Sequence, residues 1–222
     1  MEKYFDLLKD LPLFEDINSQ DLSDMMTCLA AKKKAYKKET YIRYEGDPAD
    51  FIGIVLDGTI QILQDDYNGN RSILSAFGPG HVFAEAFACA AIKALPVSIL
   101  AATDCTILFL NIQKILYPCT QACYFHSKLI QNLLKIVSRK NMLLNKKLSY
   151  VSRKTTREKL MAYLCDQAKE NHSLAFTIPY NRQALADYLG VERSALSAEI
   201  GKLKKQGILE TDRSYFKLTP GK

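Results

Sequence analysis

The sequence predicts an α+β protein in which an antiparallel β-roll, one long helix and a C-terminal winged helix-turn-helix follow each other along the chain. Three observations predict this order. Six of the ten glycines fall between positions 46 and 80, where they separate short β-rich runs. The stretch 119–150 then contains neither glycine nor proline, and two helical patterns flank the glycine at position 190. We expect domains at residues 1–118, 119–151 and 152–222.

The N-terminal part combines short helices with closely spaced strands. Residues 3–30 carry apolar side chains at three- and four-residue steps, and Asn18 or Ser19 is the expected start of one helix. Glycine turns and a hairpin signal at Asn68-Gly69 separate the runs that follow, as is typical of a small antiparallel barrel or roll. The clearest predicted strands are Ile52–Leu56, Thr59–Leu63, Ile73–Phe77 and Thr106–Leu110.

The predicted long helix, from about Cys119 to Tyr150, has an apolar face. A helix of this length beside a small roll exposes one side, which favours pairing with a second copy of the chain. The alternative is a helix that packs wholly within its own subunit. Lys140 and Lys147 interrupt the seam, so a strict leucine zipper is not expected. The residues in the three/four rhythm are Ile130, Leu133, Val137, Leu144 and Val151.

The positive charge is concentrated in the last third of the chain. Of the net charge of +6, the segment from Ser152 to Lys222 contributes +5, with 13 Lys and Arg against 8 Asp and Glu. This distribution is expected of a domain that binds a polyanion, although a solvated basic surface without a partner is the alternative. No apolar run is long enough to cross a bilayer, and the first residues are too polar for a signal peptide, so we expect a cytoplasmic protein without a membrane partner.

The six cysteines do not predict a disulfide scaffold or a metal site. They are too few and too scattered for a secreted disulfide framework. Only Cys119 and Cys123 are close, and their spacing would place both thiols on one face of a helix. Two ligands do not complete a tetrahedral site, so we expect buried or idle thiols and no bound metal. No cofactor is expected either.

The stretch from Asn181 to Leu209 has the pattern of a helix-turn-helix. A first helix that begins near Asn181 would bury Ala184, Leu185 and Leu189, and Gly190 supplies a tight turn with Val191 at the corner. A second helix over residues 192–206 would bury one face and expose a small, polar one. A two-stranded wing is expected over Ile208–Leu218. The buried residues of the second helix would be Leu196, Ile200 and Leu203.

The polar face of the second helix suits the major groove of DNA. Arg193 could bind a guanine edge, and Ser194 and Ser197 offer short donors and acceptors near the start of the helix. Lysines further along would contact phosphates. A helical hairpin with a solvated basic face is the alternative. The expected DNA contacts are Arg182, Gln183, Arg193, Ser194, Ser197, Lys202 and Lys205. Lys204 could also contact a phosphate.

The chain resembles the Crp/Fnr superfamily over nearly its whole length. The resemblance implies a cyclic-nucleotide-binding-type β-roll, a long dimerisation helix, and a winged helix-turn-helix that reads a palindromic double-stranded DNA site as a homodimer. It also implies contact with RNA polymerase. The motifs that carry it are Leu11-Pro-Leu-Phe14, Tyr44-Glu-Gly-Asp47, Val55-Leu-Asp-Gly58, Phe77-Gly-Pro-Gly80, Phe83-Ala-Glu85 and Thr156-Arg-Glu-Lys-Leu160.

The sequence departs from this family where its members bind cyclic AMP. In those members a Gly-Glu pair holds the ribose and an Arg-Ser pair holds the phosphate, whereas here we assign Ala84-Glu85 and Val97-Ser98 to these positions. Met142 and Leu143 are assigned to the helix positions that would meet the purine. We therefore expect a small-molecule effector other than cyclic AMP. A hydrophobic or aromatic acid-like metabolite would suit the apolar candidates, and the absence of any ligand is the alternative.

Other readings of the resemblance have less support. The family's oxygen sensors carry an N-terminal cysteine cluster, but Cys28 is the only cysteine before position 89. The three histidines form no recognisable haem-ligand set, and they also argue against a metal-dependent cupin-like enzyme, so no catalytic residue is predicted. The usual base-reading glutamate and arginine correspond to Ser194 and Ala198. This change predicts an unusual half-site, or a sensor module whose DNA binding has degenerated.

Overall fold

The computed structural model describes residues 2–68, 71–117 and 124–219, which form two compact units, Met1–Ser138 and Arg139–Lys222. The helices of the described residues are α1 (Phe5–Lys9), α2 (Ser19–Cys28), α3 (Glu85–Cys89), α4 (Ile112–Leu116), α5 (Tyr124–Val151), α6 (Thr156–Glu170), α7 (Arg182–Leu189) and α8 (Arg193–Lys205). Their strands are β1 (Lys32–Tyr36), β2 (Tyr41–Arg43), β3 (Phe51–Asp57), β4 (Ile60–Asp65), β5 (Arg71–Phe77), β6 (Val82–Phe83), β7 (Ser98–Ala101), β8 (Cys105–Asn111), β9 (Ala175–Thr177), β10 (Leu209–Asp212) and β11 (Tyr215–Leu218).

The first unit is a roll of two antiparallel four-stranded sheets, with strand orders β1-β8-β3-β6 and β2-β7-β4-β5. Successive side chains of a strand point to opposite faces, so a strand between two cores must be apolar throughout. In β3 the residues Ile52 and Ile54 pack against the helices, while Phe51 and Val55 point into the roll. The run FIGIVL is therefore buried over its whole length.

Short helices and the start of α5 cover one face of the roll. Leu129 and Leu133 of α5 are buried among apolar residues of α1, α2, β3 and β8. Asn132 lies on the same helix and is fully buried. Its Nδ2 donates hydrogen bonds to the carbonyls of Leu13 (3.2 Å) and Glu15 (2.8 Å). These bonds satisfy two backbone acceptors of the N-terminal segment, which would otherwise be costly to bury beside a helix.

The second unit contains the end of α5, the helices α6, α7 and α8, and a three-stranded sheet of order β10-β11-β9. Thr155 and Glu158 form a capping box that fixes the start of α6. Tyr150, in the last turn of α5, is 1% exposed, and its hydroxyl donates to Asp166 at 3.0 Å. The end of the long helix is thus part of the core of this unit.

The structure confirms the predicted α+β class and the four predicted strands, with small differences at their ends. Asn18 caps α2 by accepting from the backbone of Asp21. The strands that surround the predicted hairpin turn pair as β4 and β5, but Gly69 itself lies outside the described residues, as do Cys119 and Cys123. The long helix is described from Tyr124 onwards.

Candidate DNA-binding interface

The turn between α7 and α8 is built as the sequence predicts. The side chain of Asn181 accepts a hydrogen bond from Ala184 N at 2.9 Å and so begins α7. Gly190 ends this helix with φ of 60° in the left-handed region, where a side chain is disfavoured. Val191 then packs on the core at the corner. One detail differs from the expectation: Ala184 is half-buried, and Ala186 is fully buried in its place.

The helix α8 separates an apolar face from a polar one. Its buried residues are Leu196, Ile200 and Leu203, as the spacing predicts. Arg193, Ser194, Ser197 and Ala198 are all exposed. The first two turns of the helix therefore offer one guanidinium group, two hydroxyls and a methyl group to a binding partner. No bulky apolar group stands between these side chains and a groove edge.

The lysines at the end of α8 differ in their surroundings. The Nζ of Lys202 lies 3.4 Å from the Oε2 of Glu199, and the Nζ of Lys204 donates to the carbonyl of Thr211 at 3.4 Å. Glu199 also lies 3.9 Å from Arg157 of α6. The side chain of Lys205 is exposed. All three amines are at or near the surface, where a phosphate could compete for their weak ion pairs and hydrogen bonds.

Arg182 and Gln183, on the first helix, make contacts within the domain. The Arg182 guanidinium lies 5.1 Å from the ring centroid of Phe216, and its Nη2 donates to the hydroxyl of Thr211 at 3.2 Å. Burial lowers the pKa of Arg182 from its ordinary value. This side chain thus connects α7 to the wing. Gln183 donates to Asp187 one turn later, at 2.8 Å.

The wing contains a third strand that the sequence did not predict. β10 and β11 form the expected hairpin, and β9 adds to the other edge of β11 through pairs such as Phe216 with Phe176. Arg213 lies at the hairpin tip, where it is exposed and has φ of 49°. Arg213 is a candidate DNA contact that the sequence did not predict. The available signal was a cation in a turn between two apolar runs.

Models of known protein families match both parts of this chain. The family model for the cyclic nucleotide-binding domain matches residues 33–119, and that for the Crp-like helix-turn-helix domain matches residues 158–219. Together the two matches cover about two-thirds of the chain. The chain belongs to the Crp/Fnr superfamily. It is a DNA-binding transcription regulator of this superfamily.

Relatives within the Crp/Fnr superfamily are distant in sequence. The transcriptional activator protein FnrL of Cereibacter sphaeroides is 22% identical over 79% of this chain and 71% of its own length. The CRP-like protein Clp of Xanthomonas euvesicatoria pv. vesicatoria is 23% identical over 80% and 79%. A solved structure of CLP, a c-di-GMP-responsive global regulator from Xanthomonas campestris, has a TM-score of 0.52 and 19% identity over 90% of this chain and all of its own. These similarities support the shared fold.

The candidate effector residues of this Crp/Fnr chain lie on three elements. Ala84 has φ of 62° and precedes α3, whose first residue, Glu85, is buried. Val97 is buried, and the hydroxyl of Ser98 accepts from the backbone of Glu45 at 3.0 Å. These residues belong to the first unit. The two others, Met142 and Leu143, belong to the second unit and are 70% and 66% exposed.

Aromatic side chains fill the interior of the roll. Phe51 contacts Phe83 and Phe109 edge-on, at centroid distances of 6.3 and 5.3 Å. The Phe83 ring lies directly over Gly53, where a Cβ would come within 2.1 Å of its Cζ. The part of the roll that these rings occupy is therefore packed with side chains of the protein itself.

Two further observations concern metal binding and membrane insertion. Among residues 2–68, 71–117 and 124–219, no three or more His, Cys, Asp or Glu side chains form a group that could hold a metal ion. Within the same ranges, no helix has the length and apolar character needed to cross a membrane. Of the three histidines, His126 is buried with its Nε2 3.6 Å from the Cys28 thiol, and His81 lies beside Gly78 in a turn.

Proposed function

We propose that this chain regulates transcription as a homodimer that reads a palindromic DNA site with Arg193, Ser194 and Ser197 of each copy. The observation that carries the proposal is that α8 buries its apolar residues and exposes these three in its first two turns. An arginine binds two acceptors of a guanine edge at once, and each such contact contributes about 1–3 kcal/mol of discrimination. Hydroxyls accept or donate, so Ser194 and Ser197 suit several bases.

Phosphate contacts would come from cations around this helix. Lys202 and Lys205 follow the base-reading turn, and their contacts would position the helix without reading sequence. Gln183 lies at the start of α7 and could donate to the backbone. Arg182 is better suited to holding the wing, since its guanidinium already contacts Phe216 and Thr211. Because Ser194 and Ala198 replace the family's usual glutamate and arginine, the half-site should differ from the common one.

Gel-shift titrations with two variants test this assignment. Arg193→Ala should reduce the difference in affinity between the specific and a scrambled duplex by about 1–3 kcal/mol, because a base contact is lost. Lys205→Ala should weaken both duplexes alike and flatten the dependence of log K on log salt. Lys93→Ala removes an exposed lysine from the first unit and serves as the matched control.

Three outcomes would contradict the assignment in different ways. Equal effects of Arg193→Ala and Lys205→Ala on both duplexes would remove the distinction between base and phosphate contacts. If Lys93→Ala had as large an effect as Lys205→Ala, both variants would act only through the net positive charge of the protein. Failure of the unmodified protein to retain any genomic fragment at low salt would favour a sensor whose DNA binding has degenerated.

We also propose that the controlling small molecule is not cyclic AMP. The segment from Glu85 to Ser98 contains no arginine, and its one cation, Lys93, is exposed. A cyclic phosphate bound at these positions would therefore lack the guanidinium that the Arg-Ser pair supplies in the family's cyclic AMP binders. Because aromatic rings fill this part of the roll, a ligand would bind beside them or at another place. Among the relatives, CLP is a c-di-GMP-responsive regulator, so control by a molecule other than cyclic AMP has precedent in this fold.

Calorimetric titration with cyclic AMP tests this second proposal directly. We expect no heat of binding at micromolar ligand, and micromolar affinity would contradict the proposal. A thermal-shift screen of metabolites then searches for the true effector, because a ligand that prefers the folded protein raises its melting temperature. Variants with Glu85→Gln would show whether a hit uses the first unit.

A further inference from the structure

The exposed face of α5 carries one polar position in an otherwise apolar stripe. Leu144 and Leu148 are 67% and 58% exposed, and Val151 follows at the next step. Asn141 lies one step before them, with the same alternation of three and four residues, and its side chain is exposed. Leu134, which is 66% exposed, continues the spacing in the other direction, whereas Val137, between Leu134 and Asn141, packs against the core of the first unit.

This alternation is the heptad repeat of a coiled coil. Asn141 and Leu148 occupy the a position, and Leu144 and Val151 occupy d. A single asparagine at a is the recognised means by which a coiled coil sets its register and strand number at a cost in stability. The stripe is thus apolar enough to attract a second copy, and its one amide lies at a specificity-determining position.

The lysines next to this stripe favour a parallel arrangement. The sequence pattern put Lys140 and Lys147 within the seam, but the stripe of exposed residues that includes Leu144 and Leu148 places these lysines next to it, at g. In a parallel pair each would face an e residue of the other helix, Asn145 or Ser152. In an antiparallel pair the g positions face each other, which would bring lysines together. The Nζ of Lys147 also lies 5.3 Å from the ring centroid of Tyr188 in its own unit.

A neighbouring amide orients Asn141. The Nδ2 of Asn145 donates to the Oδ1 of Asn141 one turn before it. This leaves the Nδ2 of Asn141 to donate across a seam. Only in a parallel, in-register pair does the a position of one helix meet the same residue of the other, so that donor and acceptor are both present.

We propose that Asn141 sets the parallel, in-register, two-stranded state of the dimer by an amide–amide hydrogen bond with the same residue of a second copy. This inference rests on the proposed dimer. It identifies the residue that makes the two reading helices equivalent, since a palindromic site requires both copies in the same axial position.

Two variants of the full chain test the inference. Asn141→Asp places two carboxylates opposite each other, so sedimentation equilibrium should show a dimer dissociation constant raised by at least about tenfold, with partial recovery in high salt. Asn141→Leu should strengthen association but yield a mixture of dimers and larger species in light scattering. Ser149→Asp and Ser149→Leu place the same groups one residue beyond Leu148, outside the seam, and should leave the dimer unchanged.

The possible failures are distinguishable. A monomeric unmodified protein at micromolar concentration would overturn the proposed dimer itself, and with it this inference. A dimeric unmodified protein in which Asn141→Asp behaves like Ser149→Asp would overturn only the role of Asn141. A uniform, tighter dimer from Asn141→Leu would likewise show that the asparagine does not determine the assembly.

Discussion

Gly53 lies where the interior of the roll leaves no space for a side chain. It lies in β3, opposite Phe83 of β6, and the two residues are also partners in the strand register. The Phe83 ring is buried and meets Phe51 edge-on at a centroid distance of 6.3 Å. A Cβ at position 53 would come within 2.1 Å of the Phe83 Cζ, so the ring would have to shift within the aromatic cluster, and the absence of a side chain is a packing requirement.

Gly53→Ala should therefore destabilise the first unit. We expect a loss of about 1–3 kcal/mol in the free energy of unfolding, as for other overpacked cores. Urea denaturation followed by tyrosine fluorescence would measure it. Gly78→Ala is the matched control, because a Cβ there meets nothing within 4 Å and its φ is not positive. Equal losses in the two variants would show that glycine is not required by packing at position 53.

At the scale of elements, aromatic contacts hold the end of α5 against α6 and α7. The rings of Tyr150 and Tyr163 meet at 88° with centroids 5.7 Å apart, and Tyr188 lies 5.7 Å from Tyr163. Tyr180 stacks on Tyr188 at 4.9 Å. Burial, followed by the hydrogen bond to Asp166, raises the pKa of Tyr150, and burial also raises the pKa values of Tyr163 and Tyr188.

These shifts predict that the second unit loses stability in alkaline solution. A raised folded-state pKa means that the protonated phenol is favoured by folding, so its contribution is fully present below the unfolded value of about 10 and is lost as pH rises above it. Circular dichroism and tyrosinate absorbance, followed together, should place unfolding in the same transition as the ionisation of these three buried tyrosines. Tyr150→Phe should reduce this sensitivity. Full ionisation with the fold intact would contradict the prediction.

The sequence predicted the elements whose apolar periodicity is strong. β3, β8 and α8 are examples, because their buried positions alone determine the pattern. β1 was missed because its sequence is KKKAY: it lies at the edge of its sheet, where exposed lysines protect against further strand pairing. β9 was missed because three residues with one buried side chain leave no readable alternation.

The candidate DNA-binding site also contains features that the sequence predicts and others that it does not. Asn181, Gly190 and the exposed turn of α8 could be predicted because each depends on local backbone geometry. The contact of Arg182 with the wing could not, because it depends on where β10 and β11 return after the chain has passed through α8. Arg213 was visible as a charge in a turn, but its position at the tip of the wing follows only from the pairing of the strands.

At the scale of the whole molecule, the two copies of the proposed dimer fix the distance between the DNA half-sites. Half-sites read by paired helix-turn-helix units lie about one helical turn apart, so both major grooves face the same side of the duplex. Inserting about five base pairs between the half-sites turns one groove to the opposite side. Affinity for such a duplex should fall toward that for scrambled DNA, whereas inserting a full turn should restore part of it. Unchanged affinity after the short insertion would indicate that one copy binds alone.

The burial of Tyr150 has a consequence for exchanging parts between members of this family. A chimera joined at the end of the long helix, at position 152, would combine Tyr163 and Tyr188 of one protein with the helix end of another, and so place a foreign residue in an aromatic cluster. A junction before Arg139 would transfer the helix end together with the core that it completes. The unit that natural recombination or protein engineering can exchange is thus longer than the DNA-binding motif, and it begins within the helix that precedes it.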